Sequence, residues 1–271
     1  MKFNFKKYNS KNIDNSINSY LINNNSLNKK YFLTSINKIK KNYLEKSGAY
    51  LLKLSKENII DIKNNTLRIG KGFGVLQKQN KKGDKVISVE SKKTKKKNLR
   101  YHQTNIEGSI HTDGPQLNKP PKIIILSCKN NAKIGGETIL SDAERIHKYL
   151  QKNKKEVLNN LKKKYFFEKK GFSKSIIKKP IYTYSHKMKF RYIREYIYSG
   201  YELKKKKIPD KQLKAIKILD HLMKQEENSI KFKLKSGDVI IVNNEKRAHG
   251  RKKFSKRDKA KRKLYRVWVK G

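Results

Sequence analysis

Two short, uninterrupted apolar runs constrain this chain more than any other feature: IIIL at 123–126, within IIILSC, and VIIV at 239–242. A strand with one wet face alternates apolar and polar side chains, whereas a run without alternation suits a strand buried on both faces. Such strands need a sheet with material packed on each side. The constraint is severe because apolar residues make up only 35% of the chain and the formal charge is +48. A third candidate, RKLYRVWV at 262–269, mixes the two patterns, with Arg262, Leu264, Arg266 and Trp268 on one face. Two arginines on an otherwise apolar strand face are costly to bury unless they meet anions.

The remaining elements follow from local patterning. GAYLLKL (48–54) and VISVES (86–91) read as strands, and the Asn/Lys-rich segment 1–45 carries Ile36, Ile39 and Leu44 at the spacing of an amphipathic helix. After the Gly135–Gly136 turn, Ser141 and Glu144 form a capping-box pattern. It predicts a helix with Ile146, Leu150, Val157, Leu158 and Leu161 on its inner face. A second helix is expected from Asp210, with Leu213, Ile216, Leu219 and Met223 inward. Alternation at Ile230, Phe232 and Leu234, the SGD turn and VIIV then give a strand-turn-strand unit. The lysine run 92–97 reads as a solvated loop, and the Tyr- and Lys-rich stretch 165–208 has no clear period. Strands at both ends with helices between them predict a sheet-built core with helices packed outside it, and a length of 271 residues suits one large domain.

The charge admits two explanations. It suits a partner rich in phosphate, a nucleic acid or an anionic membrane surface. It equally follows from compositional drift, because the excess is lysine, spread from Lys2 to Lys270, alongside many Asn and Ile, while there are only ten arginines. Arginine is the usual reader of phosphates and base edges, so drift is the better account. Cys128 is the only cysteine, which excludes an intrachain disulfide and a thiolate metal cluster. With no apolar h-region at the N-terminus and no long apolar run, a soluble protein of the reducing cytoplasm is expected.

Chemistry enters through histidine. Of six histidines, His147 and His221 fall in expected helices among lysines and read as structural. His111 and Asp113 lie two apart in GSIHTDGPQ, at the spacing that puts both side chains on one face of a strand. His249 follows the VIIVNN strand, where Gly250 allows a tight turn. Two imidazoles and one carboxylate make the facial triad of non-heme Fe(II) oxygenases, which leaves metal positions open.

Four segments, HTDGPQ (111–116), PPKIIILSCKNNAKIGGETIL (120–140), GDVIIVNNEKRAHGRKKF (237–254) and RKLYR (262–266), occur in an order and spacing that resembles the Fe(II)/2-oxoglutarate dioxygenases. The branch is the taurine dioxygenase/TfdA-like, clavaminate-synthase-like one. The resemblance covers most of 100–271 and, more loosely, the chain from about 48. It implies a mainly β chain with flanking helices around a double-stranded β-helix, or jelly roll. It implies that His111, Asp113 and His249 ligate Fe(II) and form the catalytic centre, that Thr138 and Arg262 hold the distal carboxylate of 2-oxoglutarate, and that Arg266 lies near the cosubstrate or an anionic substrate group.

The implied reaction hydroxylates or desaturates a small molecule such as an amino acid or carboxylate, with O2 as the second cosubstrate and succinate and CO2 released. Asp113 disfavours halogenation, which in relatives requires a small residue at that place. The whole chain, 1–271, is then one dioxygenase domain with a weakly defined N-terminal segment 1–45 and a lid insert at 165–208. Within that insert Arg191 and Arg194 are candidate substrate ligands, as is Glu107, four residues before the first metal ligand. Two alternatives stay open: a nucleic-acid-directed 2-oxoglutarate oxygenase, and a non-catalytic basic protein that binds nucleic acid or a membrane surface. Self-association is left open as well.

Overall fold

A computed structural model describes residues 14–23, 25–91, 107–258 and 261–271. The lysine run 92–97 and His102 lie outside the described residues. Numbered in chain order, the strands are β1 (Ala49–Lys53), β2 (Leu76–Gln77), β3 (Val86–Glu90), β4 (Ile123–Asn130), β5 (Thr138–Asp142), β6 (Lys164–Glu168) and β7 (Ile176–Pro180). Then come β8 (Tyr182–Tyr184), β9 (Met188–Phe190), β10 (Ser229–Phe232), β11 (Asp238–Asn243), β12 (Arg247–Arg251) and β13 (Lys263–Val269). The α-helices are α1 (Asn15–Ile22), α2 (Ser26–Ile39), α3 (Lys56–Ile60), α4 (Ile62–Phe73), α5 (Ala143–Asn153), α6 (Lys155–Lys162), α7 (Arg194–Leu203) and α8 (Asp210–Lys224). The expected mainly β chain is therefore a mixed one, since helices cover both outer faces of the sheets.

The larger sheet runs β1-β11-β4-β13-β2, with β3 also paired to β13, and the smaller runs β10-β5-β12; all pairings are antiparallel. The uninterrupted runs are explained by what covers each face. In β11, Val239 and Ile241 point to the N-terminal helices and pack with Ile17, Phe32, Ile36 and Ile69. Their neighbours Ile240 and Val242 point the other way and meet Leu140 and Phe232 of the smaller sheet. Strand β4 divides in the same manner, Ile123 and Ile125 to the helices, Leu126 and Cys128 to the inter-sheet space. Each such fully buried aliphatic side chain contributes roughly 1.5–3 kcal/mol, so these strands anchor an otherwise polar chain.

Helix α4 seats on the sheet through Ile62, Asn65, Thr66, Ile69, Gly70 and Phe73, an i, i+3, i+4, i+7 stripe. Its contact with β13 is so close that a Cβ on Gly70 would lie 2.7 Å from Val267 Cγ1. Within the described part of the Asn-rich segment, Asp14 and Asn25 cap helices α1 and α2, their side chains accepting from Ile17 N and Asn28 N. Ile36, Ile39 and Leu44 are buried as their spacing predicts, although Lys40–Leu44 forms a π-helical turn.

The helix expected from Ser141 needs correction at both ends. Ser141 belongs to β5, and Asp142 is the cap, its carboxylate accepting from Arg145 N at 2.9 Å. The helical stripe is also broken at Lys154, giving α5 and α6, which pack with α8 against the outer face of the smaller sheet. The stretch 165–208 contains two hairpins, β6–β7 and β8–β9, and helix α7. Tyr165, Tyr182, Tyr192 and Tyr201 are buried in that same layer. Among the described residues no helix is long and apolar enough to cross a membrane.

Candidate metal centre

His111 sits on a single antiparallel bridge to His249: each backbone N–H donates to the other's carbonyl, at 2.9 and 2.7 Å. That bridge, added to the edge of the smaller sheet, sets the two rings 4.7 Å apart. The expectation of a turn at His249 is corrected, because it lies inside β12, where Ala248 pairs with Ser141 and His249 with Leu140. Gly250 is a strand residue beside Ile110. Asp113 lies beyond the bridge, in a bend, instead of continuing a strand from His111. Gly114, at φ +62°, turns the chain there, and a Cβ would meet Pro121 Cδ at 2.9 Å. Asn244, at the end of the VIIVNN run, pins that bend. It accepts from Asp113 N and donates to the carbonyls of Asp113 and Pro121, all at 2.9 Å.

The three side chains converge. His111 Nε2 lies 3.9 Å from Asp113 Oδ1, and His249 Nε2 lies 3.9 Å from Oδ2. One ligand atom from each residue falls within 4.8 Å of the others. His111 Nδ1 donates to the Ser109 carbonyl at 2.9 Å, which fixes the ring with Nε2 toward Asp113. Burial drives the His249 imidazole down to about 3 against the pull of Asp113, so it is neutral and able to ligate. Its Nδ1 is buried and takes no hydrogen bond from the described residues.

Asp113 is ionised although buried. Burial alone would raise its carboxyl, but the Arg266 guanidinium, both imidazoles and the Trp268 indole outweigh that and hold it below the ordinary value. Arg266 donates to Oδ1 at 2.8 Å and Trp268 Nε1 to Oδ2 at 2.9 Å, while Gln79 accepts from Arg266 Nε at 3.0 Å. Two imidazoles and one fixed carboxylate are a donor set suited to a divalent first-row metal such as Fe(II).

The cluster opens into a pocket between the two sheets. Thr138, Arg251 and Arg262 line it with Arg266 and Trp268, and apolar walls come from Val89, Ile124, Leu126, Ile240 and Val242. Arg262 is buried, with Nε donating to Asn131 Oδ1 at 3.2 Å. Arg266, expected beside the cosubstrate, lines the pocket but is tied to Asp113. The segment 165–208 reaches the pocket through Lys170, Phe172, Ile193 and Tyr196.

Three candidate substrate residues are not brought to this pocket. Glu107 is exposed and pairs with Lys252 at 3.3 Å. Arg191 donates to the carbonyls of Pro115 and Leu117, both at 3.1 Å, bracing the bend without lining the pocket. Arg194 pairs with Asp220 at 2.9 Å. Sequence reasoning missed Gln79 and Asn244, whose roles depend on distant partners, and Arg251. The last was visible in principle, since it lies two residues after His249 on one strand.

The sequence model of the Taurine catabolism dioxygenase TauD, TfdA family matches residues 60–268. A curated relative, FR-33289 synthase of Streptomyces rubellomurinus (strain ATCC 31215), is 25% identical over 214 residues. That match takes in 74% of this chain and 61% of the relative, so the chain spans about three fifths of the relative's length. Among solved structures, asparagine oxygenase in complex with Fe(II), 2S,3S-3-hydroxyasparagine and succinate is similar in fold. It superposes with a TM-score of 0.72 at 14% identity, over 94% of this chain and 89% of that one. Non-heme iron oxygenase OrfP in complex with Fe, succinate and (3S)-hydroxy-L-Arg gives 0.67 at 13% identity, over 92% and 85%. By the family match over most of its length, the chain belongs to the taurine catabolism dioxygenase TauD, TfdA family.

Proposed function

We propose that this protein is an Fe(II)- and 2-oxoglutarate-dependent dioxygenase that hydroxylates, or desaturates, a small molecule such as an amino acid or carboxylate. In the hydroxylating form, 2-oxoglutarate, O2 and a substrate C–H become succinate, CO2 and a C–OH. The observation that carries the reading is the convergence of His111, Asp113 and His249 at a pocket whose other charged liners, among the described residues, are cations. Family membership agrees with it, and the related oxygenases hold hydroxylated amino acids and succinate.

In this reading His111 and His249 bind the metal through neutral imidazoles, and Asp113 binds through a carboxylate oriented by Arg266 and Trp268. Bound Fe(II) supplies the redox chemistry that couples decarboxylation of 2-oxoglutarate to oxidation of a substrate carbon. Thr138 and Arg262 hold the distal carboxylate of the cosubstrate, orienting its 2-oxo acid end toward the metal. The apolar side chains between the sheets exclude water, which strengthens these charge contacts. The two facing sheets are taken as a double-stranded β-helix, the whole chain as one catalytic domain, and 165–208 as the lid that closes over the substrate. A reducing compartment such as the cytoplasm suits the lone, buried Cys128.

Incubation with Fe(II), 2-oxoglutarate and O2 across a panel of free amino acids and carboxylates tests the proposal by mass spectrometry. Succinate and a product gaining one oxygen, or losing two hydrogens, are expected, and both should vanish in His111→Ala. Succinate at the level of the protein-free control with every substrate would refute it.

A further inference from the structure

Among the described residues, the charged groups lining the pocket are one carboxylate, Asp113, and four cations, Lys170, Arg251, Arg262 and Arg266. Arg266 is engaged by Asp113, and Arg262 is assigned above to the cosubstrate. Arg251 has no role in that scheme, yet it is buried and lines the same cavity. Its position follows from the strand. It lies two residues beyond His249 on β12, so it projects from the same face, and in the register of the smaller sheet it stands opposite Thr138.

The guanidinium is also fixed in place. Its carbon lies 4.7 Å from the centroid of the buried Phe254 ring, and that of Arg262 lies 5.4 Å from the same ring. One aromatic side chain thus gathers two like-charged groups, one from β12 and one from the residue just before β13, in the pocket that Thr138 also lines. Like charges drawn together in a water-poor cavity repel, and an anion between them removes that repulsion. A carboxylate offers two oxygens with about four lone-pair sites, enough for two guanidiniums and a hydroxyl together.

We propose that Arg251 is a specificity-determining residue that, with Arg262 and Thr138, clamps the distal carboxylate and makes the protein select a dicarboxylate 2-oxo acid over a monocarboxylate one. The inference rests on the reading of the site as a 2-oxoglutarate pocket. Arg262 alone supplies one fork, whereas the pair supplies two directions of approach and fixes the carboxylate plane.

The test compares wild type with Arg251→Gln and Arg251→Lys, anaerobically and loaded with Fe(II). Each is titrated with 2-oxoglutarate and with 2-oxopentanoate, which has the same chain length without the distal carboxylate. Binding is read from the visible charge-transfer band and, independently, from the fluorescence of Trp268, the chain's single tryptophan and a pocket residue. Arg251→Gln should weaken 2-oxoglutarate about 10- to 100-fold, the loss of a charge-assisted bond, while 2-oxopentanoate binding stays as in wild type. Arg251→Lys, which keeps charge but loses the planar fork, should fall between and keeps the test open if the Gln variant does not fold.

A wild-type ratio of dicarboxylate to monocarboxylate affinity in a folded Arg251 variant would overturn the proposal, whatever its thermal stability. Failure of the wild type itself to bind 2-oxoglutarate with Fe(II) would overturn both this inference and the functional reading beneath it.

Discussion

Trp268→Phe isolates one hydrogen bond at the metal centre. The substitution keeps an aromatic ring against the pocket wall and removes the Nε1–H that donates to Asp113 Oδ2 at 2.9 Å. The acceptor is ionised and buried, so the bond falls in the class that contributes roughly 1.5–3 kcal/mol. At 1.36 kcal/mol per tenfold, that corresponds to about one to two orders of magnitude in whatever equilibrium needs the oriented carboxylate. Losses of partners behind metal ligands typically weaken metal binding about 10- to 100-fold, the same range. Arg266 still holds Oδ1 in the variant, so a loss beyond that range is not expected. Anaerobic Fe(II) titration against a competing chelator measures it, with circular dichroism as the check on folding. An Fe(II) affinity within twofold of wild type in a folded Trp268→Phe protein would refute the claim that the indole positions Asp113.

Other expectations are independent of that bond. Asn244→Ala removes three hydrogen bonds that pin the Asp113 bend and should cost about 3 kcal/mol in urea unfolding, with weaker metal binding as well. Cys128 is buried and its thiol is pushed up to about 12, so Ellman's reagent at pH 8 should react with it only after denaturant is added. The His147 imidazole, lowered by burial and then by Lys162, has a folded-state pKa below its unfolded value. Neutral His147 is therefore the native form, and its contribution to stability is complete above about pH 6.5 and declines as pH falls toward the depressed value. His147→Phe should flatten that acid-side slope in thermal melts taken from pH 7 to 5; an unchanged slope counts against the assignment.

Much of the fold was legible because the scarce apolar residues had so few places to go. Val239–Val242 could serve only a strand covered on both faces, and Leu213, Ile216, Leu219 and Met223 only an inner helical stripe. The cap of α5 was misplaced by one residue because Ser141 and Asp142 are both good cap formers. Pairing of β5 with β10 and β12 decided between them, a tertiary fact. His249 was assigned to a turn on the strength of Gly250, but that glycine allows Ile110 to pack close against β12.

The site divides along the same line. His111 and Asp113 stand at a spacing that marks them as a pair, whereas Thr138 and the roles of Arg262 and Arg266 enter only through the family resemblance. Position in the lid insert singles out Arg191 and Arg194, and nearness to His111 singles out Glu107, but sequence position cannot tell a pocket ligand from a residue engaged by backbone carbonyls, Asp220 or Lys252. Gln79 and Asn244 hold the site across 187 and 131 residues of sequence separation, a relation no local pattern encodes.

The central claim is that His111, Asp113 and His249 hold Fe(II) in a pocket that also takes 2-oxoglutarate. Anaerobic addition of Fe(II) and then 2-oxoglutarate to the wild-type protein, followed in the visible spectrum, tests it most directly. A weak metal-to-ligand charge-transfer band should appear only when both are present, and should be absent in Asp113→Ala. No band from the folded wild-type protein at saturating Fe(II) and 2-oxoglutarate would contradict the account.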